Sequence, residues 1–305
     1  MVDIKEIKNI ELVPFTLMTS SISAIVALIY AILLLITLVV VAAFIPTAGL
    51  ILASLGLSLI VLYPIGTFLI YVTLSFVTAL IYNMLVPRLG GIKLGLEGDE
   101  VKNVPVVPFA LIMAGVMAVW AFIIGLILAA VIVPFTTAVS TLIPMLANIT
   151  ANATNMTPAT LPTGSVVGTG GVVLAILLII GLPILVFVLG FIGHALAAIF
   201  YNFIIPKVGG IRLLFTPAGT AHEITSIPVV AAALALASVA LIFGIIDGIF
   251  SLINGILAGN AGMAIGSLIG NIIGSFVGVF IMVAIITLIY NYLAPRIGGI
   301  QLGLE

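Results

Sequence analysis

Two ionisable side chains stand inside long apolar runs of this chain, His194 in LGFIGHALAAIF and Asp247 in FGIIDGIFSLING. Burying charge in hydrocarbon is costly, so such residues are candidates for moving protons or ions. His194 lies about 11 residues, or about 16 Å, from the end of its run, which places it near mid-bilayer. Asp247 lies about 19 residues, or about 28 Å, from Pro228, which places it near the far surface. A second candidate constellation is a Tyr-Asn pair that occurs three times, at Tyr82-Asn83, Tyr201-Asn202 and Tyr290-Asn291. Phenol and carboxamide groups in a threefold arrangement could ligate an ion or hold a polar ligand. They could equally close off the ends of helices.

Hydrolytic chemistry finds no support. The sequence contains no His-Glu-x-x-His, no Gly-x-Ser-x-Gly, no phosphate-binding loop and no cysteine. No catalytic residue, cofactor or metal is expected, and the chain is read as a non-enzyme.

The surroundings of the Tyr-Asn pairs explain them. ALIYNMLVPRLGGIKLGLE (Ala79 to Glu97), AIFYNFIIPKVGGIRLLFT (Ala198 to Thr216) and TLIYNYLAPRIGGIQLGLE (Thr287 to Glu305) are three copies of one ending. Each has a matching start, EIKNIELVPF from Glu6, EVKNVPVVPF from Glu100 and EITSIPVVAA from Glu223. The repeat units are 1–97, 98–216 and 217–305, together forming one membrane domain. Pro87, Pro206 and Pro295 lack the N–H that the carbonyl four residues earlier requires, and should stop each helix. A basic residue follows (Arg88, Lys207, Arg296), favourable at a negative helix end. Gly90-Gly91, Gly209-Gly210 and Gly298-Gly299 supply the turn, and alternating residues then read as a short strand. This makes the Tyr-Asn pairs an exit-and-cap device rather than a ligand site. The equivalents of His194 are Ser75 and Val283, and those of Asp247 are Tyr30 and Ile124, so neither belongs to a repeated ion path. His194 is read as a neutral hydrogen-bonding group between helices, with a proton relay as the sharper alternative; Asp247 is read as interfacial.

Composition requires a membrane. Of 305 residues 64% are hydrophobic and 6% charged, with a mean hydropathy of +1.54, values that exclude a water-soluble core. A net charge of −1 gives no footprint for nucleic acid. The mixed-charge start MVDIKEIKNIELVPF lacks the pattern of a removable signal peptide. Between each start and ending lie two spans, about 16–44 with 63–86, 109–133 with 171–205, and 229–250 with 273–294. The expected fold class is therefore an all-α polytopic membrane protein, six transmembrane helices in three pseudo-threefold repeats, with a small cytoplasmic β layer. All eight basic residues sit at starts and endings, which places both termini in the cytoplasm. The expected location is the plasma membrane of a prokaryote. The external middle connection carries three Asn-x-Thr acceptors, Asn148, Asn152 and Asn155, as glycosylation candidates.

The incoming strand, the aromatic-Asn pair and the terminal Gly-Gly-Ile-x-Leu resemble a small two-span membrane domain of unknown function known mainly from actinobacteria. Three tandem copies would cover nearly the whole chain. The position after Gly-Gly-Ile, often acidic in that family, is Lys93, Arg212 or Gln301 here. The resemblance implies a membrane domain and nothing catalytic. The layout also matches that of the mitochondrial carriers, but their signature Pro-x-Asp/Glu-x-x-Lys/Arg is absent.

Gly262, Gly266, Gly270, Gly274 and Gly278 recur at intervals of four, a small-residue ridge that lets another helix come close. It is read as packing within the chain, with a dimerisation face as the alternative. The functional reading is a non-catalytic scaffold that binds a membrane-protein partner or a second copy. The alternative is a small-solute or ion transporter or channel whose external stretch from Ile45 to Pro64 dips back into the membrane. A final expectation concerns the third ending, which has no following start to pair with. Its partner should be DIKEIKNI at the beginning of the chain, closing the ring of hairpins and leaving no exposed edge.

Overall fold

The computed structural model describes residues 2–45, 49–154 and 165–305. Strand β1 (Asp3–Ile10) leads into α1 (Leu12–Phe44) and α2 (Gly49–Leu89), followed by β2 (Ile92–Glu97) and β3 (Glu100–Asn103). Next come α3 (Val106–Thr154), α4 (Ser165–Ile176), a π-helical turn at Leu177–Gly181 and α5 (Leu182–Val208). Strands β4 (Ile211–Arg212), β5 (Leu214–Ala218) and β6 (Ala221–Ser226) precede α6 (Val229–Leu257), α7 (Ala261–Ile297) and β7 (Gln301–Leu304). Among the described residues six helical stretches are long and apolar enough to cross a bilayer.

These helices outrun the expected spans. The region 45–62, read as a connection that could dip back, is helical from Gly49 and belongs to the 41 residues of α2, with Pro64 inside it. The region 251–272 is helical except for Ala258–Asn260, where Gly259 adopts φ 77°. Likewise α3 runs on to Thr154, well beyond residue 133. These stretches are rich in Leu, Ile and Ala, which keep the helix going through isolated glycines, and only at Gly259-Asn260 is it broken. At 1.5 Å per residue α2 is about 60 Å long, about twice the hydrocarbon thickness.

The chain divides into two compact units, one of Met1–Ile112 with Ala195–Glu305 and one of Met113–His194. In the second, Gly125 of α3 lies against the backbone of the π turn; a Cβ there would come within 2.0 Å of the Leu178 carbonyl oxygen. The turn itself follows from Pro183, which has no N–H to give the Ile179 carbonyl. The ladder widens one residue earlier, where Leu182 N–H donates to Leu177 O.

The first unit carries a seven-stranded antiparallel sheet in the order β4-β3-β2-β1-β7-β6-β5. "All-α" therefore understates the fold. The strands are short, and apart from the β2–β3 and β5–β6 hairpins they pair with partners far away in sequence, a signal that local patterns do not carry. Each ending pairs with its own unit's start and with the next start: β2 with β1 and β3, and β7 with β6 and β1. The second ending is interrupted at Leu213, so its first part, β4, pairs with β3 and its second part, β5, with β6. Leu213 N–H donates to Asp99 O at 2.8 Å. The outermost strands of the order are thus consecutive stretches of one segment. The expected pairing of the third ending with the beginning of the chain is present, with Ile7 opposite Leu304 and Ile10 opposite Leu302, but the ring does not close, because among the described residues β4 and β5 end the order without pairing with each other.

One face of the sheet is apolar and covers the helix ends. Leu96 and Val101 pack there on Tyr201, Ile204, Ile205, Ala235 and Val239. Helix pairs close through small residues, as expected where lipid supplies no hydrophobic drive for association. Gly244, Gly248 and Gly255 of α6 face Ser275, Leu268 and Ala264 of α7, and Asn271 donates across to Ser251 Oγ at 3.0 Å.

Candidate functional site

The three Tyr-Asn pairs lie at the junction between helices and sheet, and the structure gives all three the same task. The hydroxyl of Tyr82 donates to Ile7 O at 2.7 Å and accepts from Ile92 N–H at 3.0 Å. Ile7 and Ile92 are directly opposite in the β1–β2 ladder, so the phenol is inserted where a backbone bond would otherwise run. Tyr201 bridges Val101 O and Ile211 N–H, and Tyr290 bridges Ile224 O and Ile300 N–H, at 2.6 to 3.1 Å. A buried phenol needs a partner for its hydroxyl, and here each has two. The rings are 3, 6 and 3% exposed.

Each asparagine makes two bonds to a single residue. Asn83 donates Nδ2–H to Ile10 O and accepts Ile10 N–H at Oδ1, both at 2.8 Å. Asn202 treats Val104 the same way and Asn291 treats Ile227 the same way, at 2.8 to 2.9 Å. A carboxamide carries one donor face and one acceptor face, so it substitutes for a neighbouring strand where the start leaves the sheet to enter a helix. The three prolines do not stop their helices, contrary to expectation. They lie inside the last turn, which continues to Leu89, Val208 and Ile297. Termination falls to Gly90, Gly209 and Gly298, at φ 81°, 87° and 84°. Each glycine N–H bonds back to the residue four earlier, at 2.9 to 3.0 Å. Proline removes one bond of the ladder, whereas left-handed backbone redirects the chain.

Sequence reasoning missed the third member of each cluster, the glutamate at position one of each start. Glu6 Oε1 accepts Gly91 N–H at 2.7 Å, Glu100 Oε1 accepts Gly210 N–H at 2.5 Å, and Glu223 Oε1 accepts Gly299 N–H at 2.6 Å. The recurrence of glutamate at the same place in all three starts was the available signal. The Gly91 N–H, then Lys8 and Lys93, hold the Glu6 carboxyl below its ordinary range. For Glu100 the Lys102 ammonium acts first, then the Gly210 N–H and Arg212. Lys8 and Lys93 lie 3.4 and 4.0 Å from Glu6, and Lys102 and Arg212 lie 2.9 and 3.8 Å from Glu100. The third start has Thr225 and the third ending Gln301 in the corresponding places, and among the described residues no cation pairs with Glu223. The second glycine of each pair leaves room for this arrangement, since a Cβ on Gly91, Gly210 or Gly299 would come within 2.0 to 2.2 Å of the Ile7, Val101 or Ile224 carbonyl oxygen.

Two of the three basic residues after the prolines, Lys207 and Arg296, fold back on their own helices. Lys207 sits 4.1 Å from the Phe203 ring centroid, and Arg296 sits 3.7 Å from that of Tyr292. His194 donates Nδ1–H to Gly190 O at 2.7 Å, a bond within α5. Asp247 is exposed, ten residues before the end of α6. Asn148 and Asn152 lie in the last turns of α3, their side chains outside the described residues, and Asn155 lies outside them entirely. Among the described residues of its own compact unit, the glycine ridge does not pack as expected. A Cβ on any of Gly262, Gly266, Gly270, Gly274 or Gly278 would meet nothing within 4 Å, because α6 occupies the adjacent face of α7. Among the described residues no group of three or more His, Cys, Asp or Glu side chains gathers as metal ligands would.

The site thus defines a helix-to-sheet clamp made of Tyr, Asn, Glu and Gly-Gly, present three times in an apolar helical protein. No family model, curated protein or solved structure matches the chain.

Proposed function

We propose that the chain is a non-catalytic integral membrane scaffold, built as three pseudo-threefold hairpin repeats hung from a sheet platform, that holds a membrane-protein partner or a second copy of itself. The observation that carries this reading is the commitment of the repeated polar residues. Every clamp tyrosine, asparagine and glutamate is bonded to backbone of the sheet or its edge, which leaves these side chains to hold structure rather than ligand.

Sidedness follows from charge. All eight basic residues lie on the strands or in the last helical turns that enter the sheet, which favours a cytoplasmic sheet and a prokaryotic plasma membrane. The test is solute and ion flux in proteoliposomes containing the full chain. Flux no greater than in protein-free vesicles is expected; flux above that background overturns the scaffold and supports a transporter. In sealed cells, an impermeant thiol reagent should label Asn260→Cys and spare Gly98→Cys, and the reverse pattern inverts the orientation.

A further inference from the structure

Within the first compact unit a groove of about 370 Å³ opens between α1, α2 and α7, a volume in the range of ligand sites. Five hydroxyl-bearing side chains converge on it: Ser23 and Tyr30 from α1, and Tyr63, Thr67 and Tyr71 from α2. Met282 and Ile286 of α7 form an apolar wall, and no charged residue lines it. None of the five hydroxyls is hydrogen-bonded among the described residues, in contrast to the clamp tyrosines, whose hydroxyls each serve two partners. The Asn83 bonds to Ile10 set α1 and α2 level with each other; from there, at 1.5 Å per residue, Tyr30 lies about 30 Å along α1 and Tyr63 about 30 Å along α2. Their hydroxyls therefore fall near the far boundary of a hydrocarbon layer about 30 Å thick, with Tyr71 and Ser23 about 10 Å deeper.

At the depth of Tyr71 and Ser23 unpartnered hydroxyls have little water to satisfy them. Interfacial tyrosines that merely anchor a helix have no reason to share one recess with a serine and a threonine. From Tyr30 the apolar lining of the groove runs back toward the sheet through Val26 and Met282 to Ile22 and Ile286. Donors at the interface with an apolar channel leading away from them fit one ligand chemistry, an uncharged acceptor group attached to a hydrocarbon tail.

We infer that this groove is a lipid site, in which the tyrosine hydroxyls donate to the ester carbonyl oxygens of a diacyl glycerolipid from the leaflet opposite the sheet. Its acyl chain lies along Val26 and Met282 toward Ile22 and Ile286, deeper in the hydrocarbon. The headgroup stays outside, since no charged residue is present to select it. This site is independent of the scaffold reading; either stands if the other fails.

The test uses full-length protein in detergent, with dioleoylphosphatidylcholine or its diether analogue, which lacks ester carbonyls, and native mass spectrometry to count retained lipid. The wild type should retain the ester lipid about tenfold better than the diether, the effect of about 1.4 kcal/mol of net hydrogen bonding. The triple variant Tyr30→Phe, Tyr63→Phe, Tyr71→Phe should lose that preference while keeping its helical circular dichroism, because each ring remains and is 42 to 46% exposed. Should the triple variant not fold, Ser23→Ala with Thr67→Val, which does not touch the rings, should reduce the preference in the same direction. Equal retention of ester and diether lipid by the wild type overturns the assignment, as does an undiminished preference in the folded triple variant.

Discussion

Replacing Tyr82 with phenylalanine removes a single oxygen, and its cost follows from the two groups that oxygen serves. Ile7 O loses its donor and Ile92 N–H its acceptor, bonds of 2.7 and 3.0 Å. A buried polar group left unpaired costs about 1–3 kcal/mol. Ile7 is 8% exposed whereas Ile92 is partly open, so the carbonyl takes the larger penalty and the amide recruits some water. The sum is about 2–4 kcal/mol. Thermal unfolding in detergent, followed by circular dichroism, should show a lower transition. Hydrogen exchange should show the Ile92 amide losing protection before amides in the middle of α2. Tyr201→Phe and Tyr290→Phe should each behave alike at Ile211 and Ile300. A change below about 0.5 kcal/mol, the range of ordinary surface substitutions, with Ile92 still protected, would refute the claim that the phenol is part of the sheet.

Gly91→Ala should be at least as damaging as Tyr82→Phe, because its Cβ would come within 2.0 Å of the Ile7 carbonyl oxygen; a melting temperature equal to wild type contradicts this. Acidification should destabilise the protein below about pH 4.5, the ordinary carboxyl value. Glu6 and Glu100 titrate lower when folded, so their stabilisation is complete above the unfolded value and is lost as pH falls through the folded ones. Glu6→Gln with Glu100→Gln should flatten that dependence, measured as melting temperature against pH. Gly270→Leu with Gly274→Leu should leave the melting temperature of the monomer unchanged, since those side chains would point into open space; a marked drop would place the ridge inside the packed chain.

Much of the clamp was legible in the sequence because its parts recur. Tyrosine, asparagine, proline and paired glycines at constant spacing identified a helix exit without any fold in hand. Glu6, Glu100 and Glu223 recur as faithfully, but a carboxylate in a charged start looks like an ordinary solvated residue until Gly91, Gly210 and Gly299 arrive from 76 to 110 positions away. Pro87 was overvalued as a stop, since a helix can carry proline in its final turn when the following glycine redirects the backbone. The long connections differ from expectation because in an apolar stretch such as Gly49 to Pro64 an isolated Gly56 or Pro64 is equally compatible with a loop and with a helix. The glycine ridge shows the same limit: its period is visible in sequence, but which face of α7 meets α6 depends on Ala264, Leu268, Asn271 and Ser275, which share no comparable pattern.

The account rests on one continuous sheet in which the last strand joins the first, and a disulfide tests that junction directly. Glu6 and Glu305 exchange both backbone bonds, at 2.7 and 3.0 Å, so the adjacent pair Ile7 and Leu304 is a non-hydrogen-bonded pair with Cα atoms about 4.5 Å apart, within disulfide reach. The chain has no native cysteine, so Ile7→Cys with Leu304→Cys can be oxidised without competition, beside a control pair Lys5→Cys with Leu94→Cys across β1 and β2. Rapid, near-complete cross-linking of both pairs within single chains is the predicted result. A control that cross-links while Ile7→Cys and Leu304→Cys remain free thiols would contradict the account, because β7 would then not lie against β1.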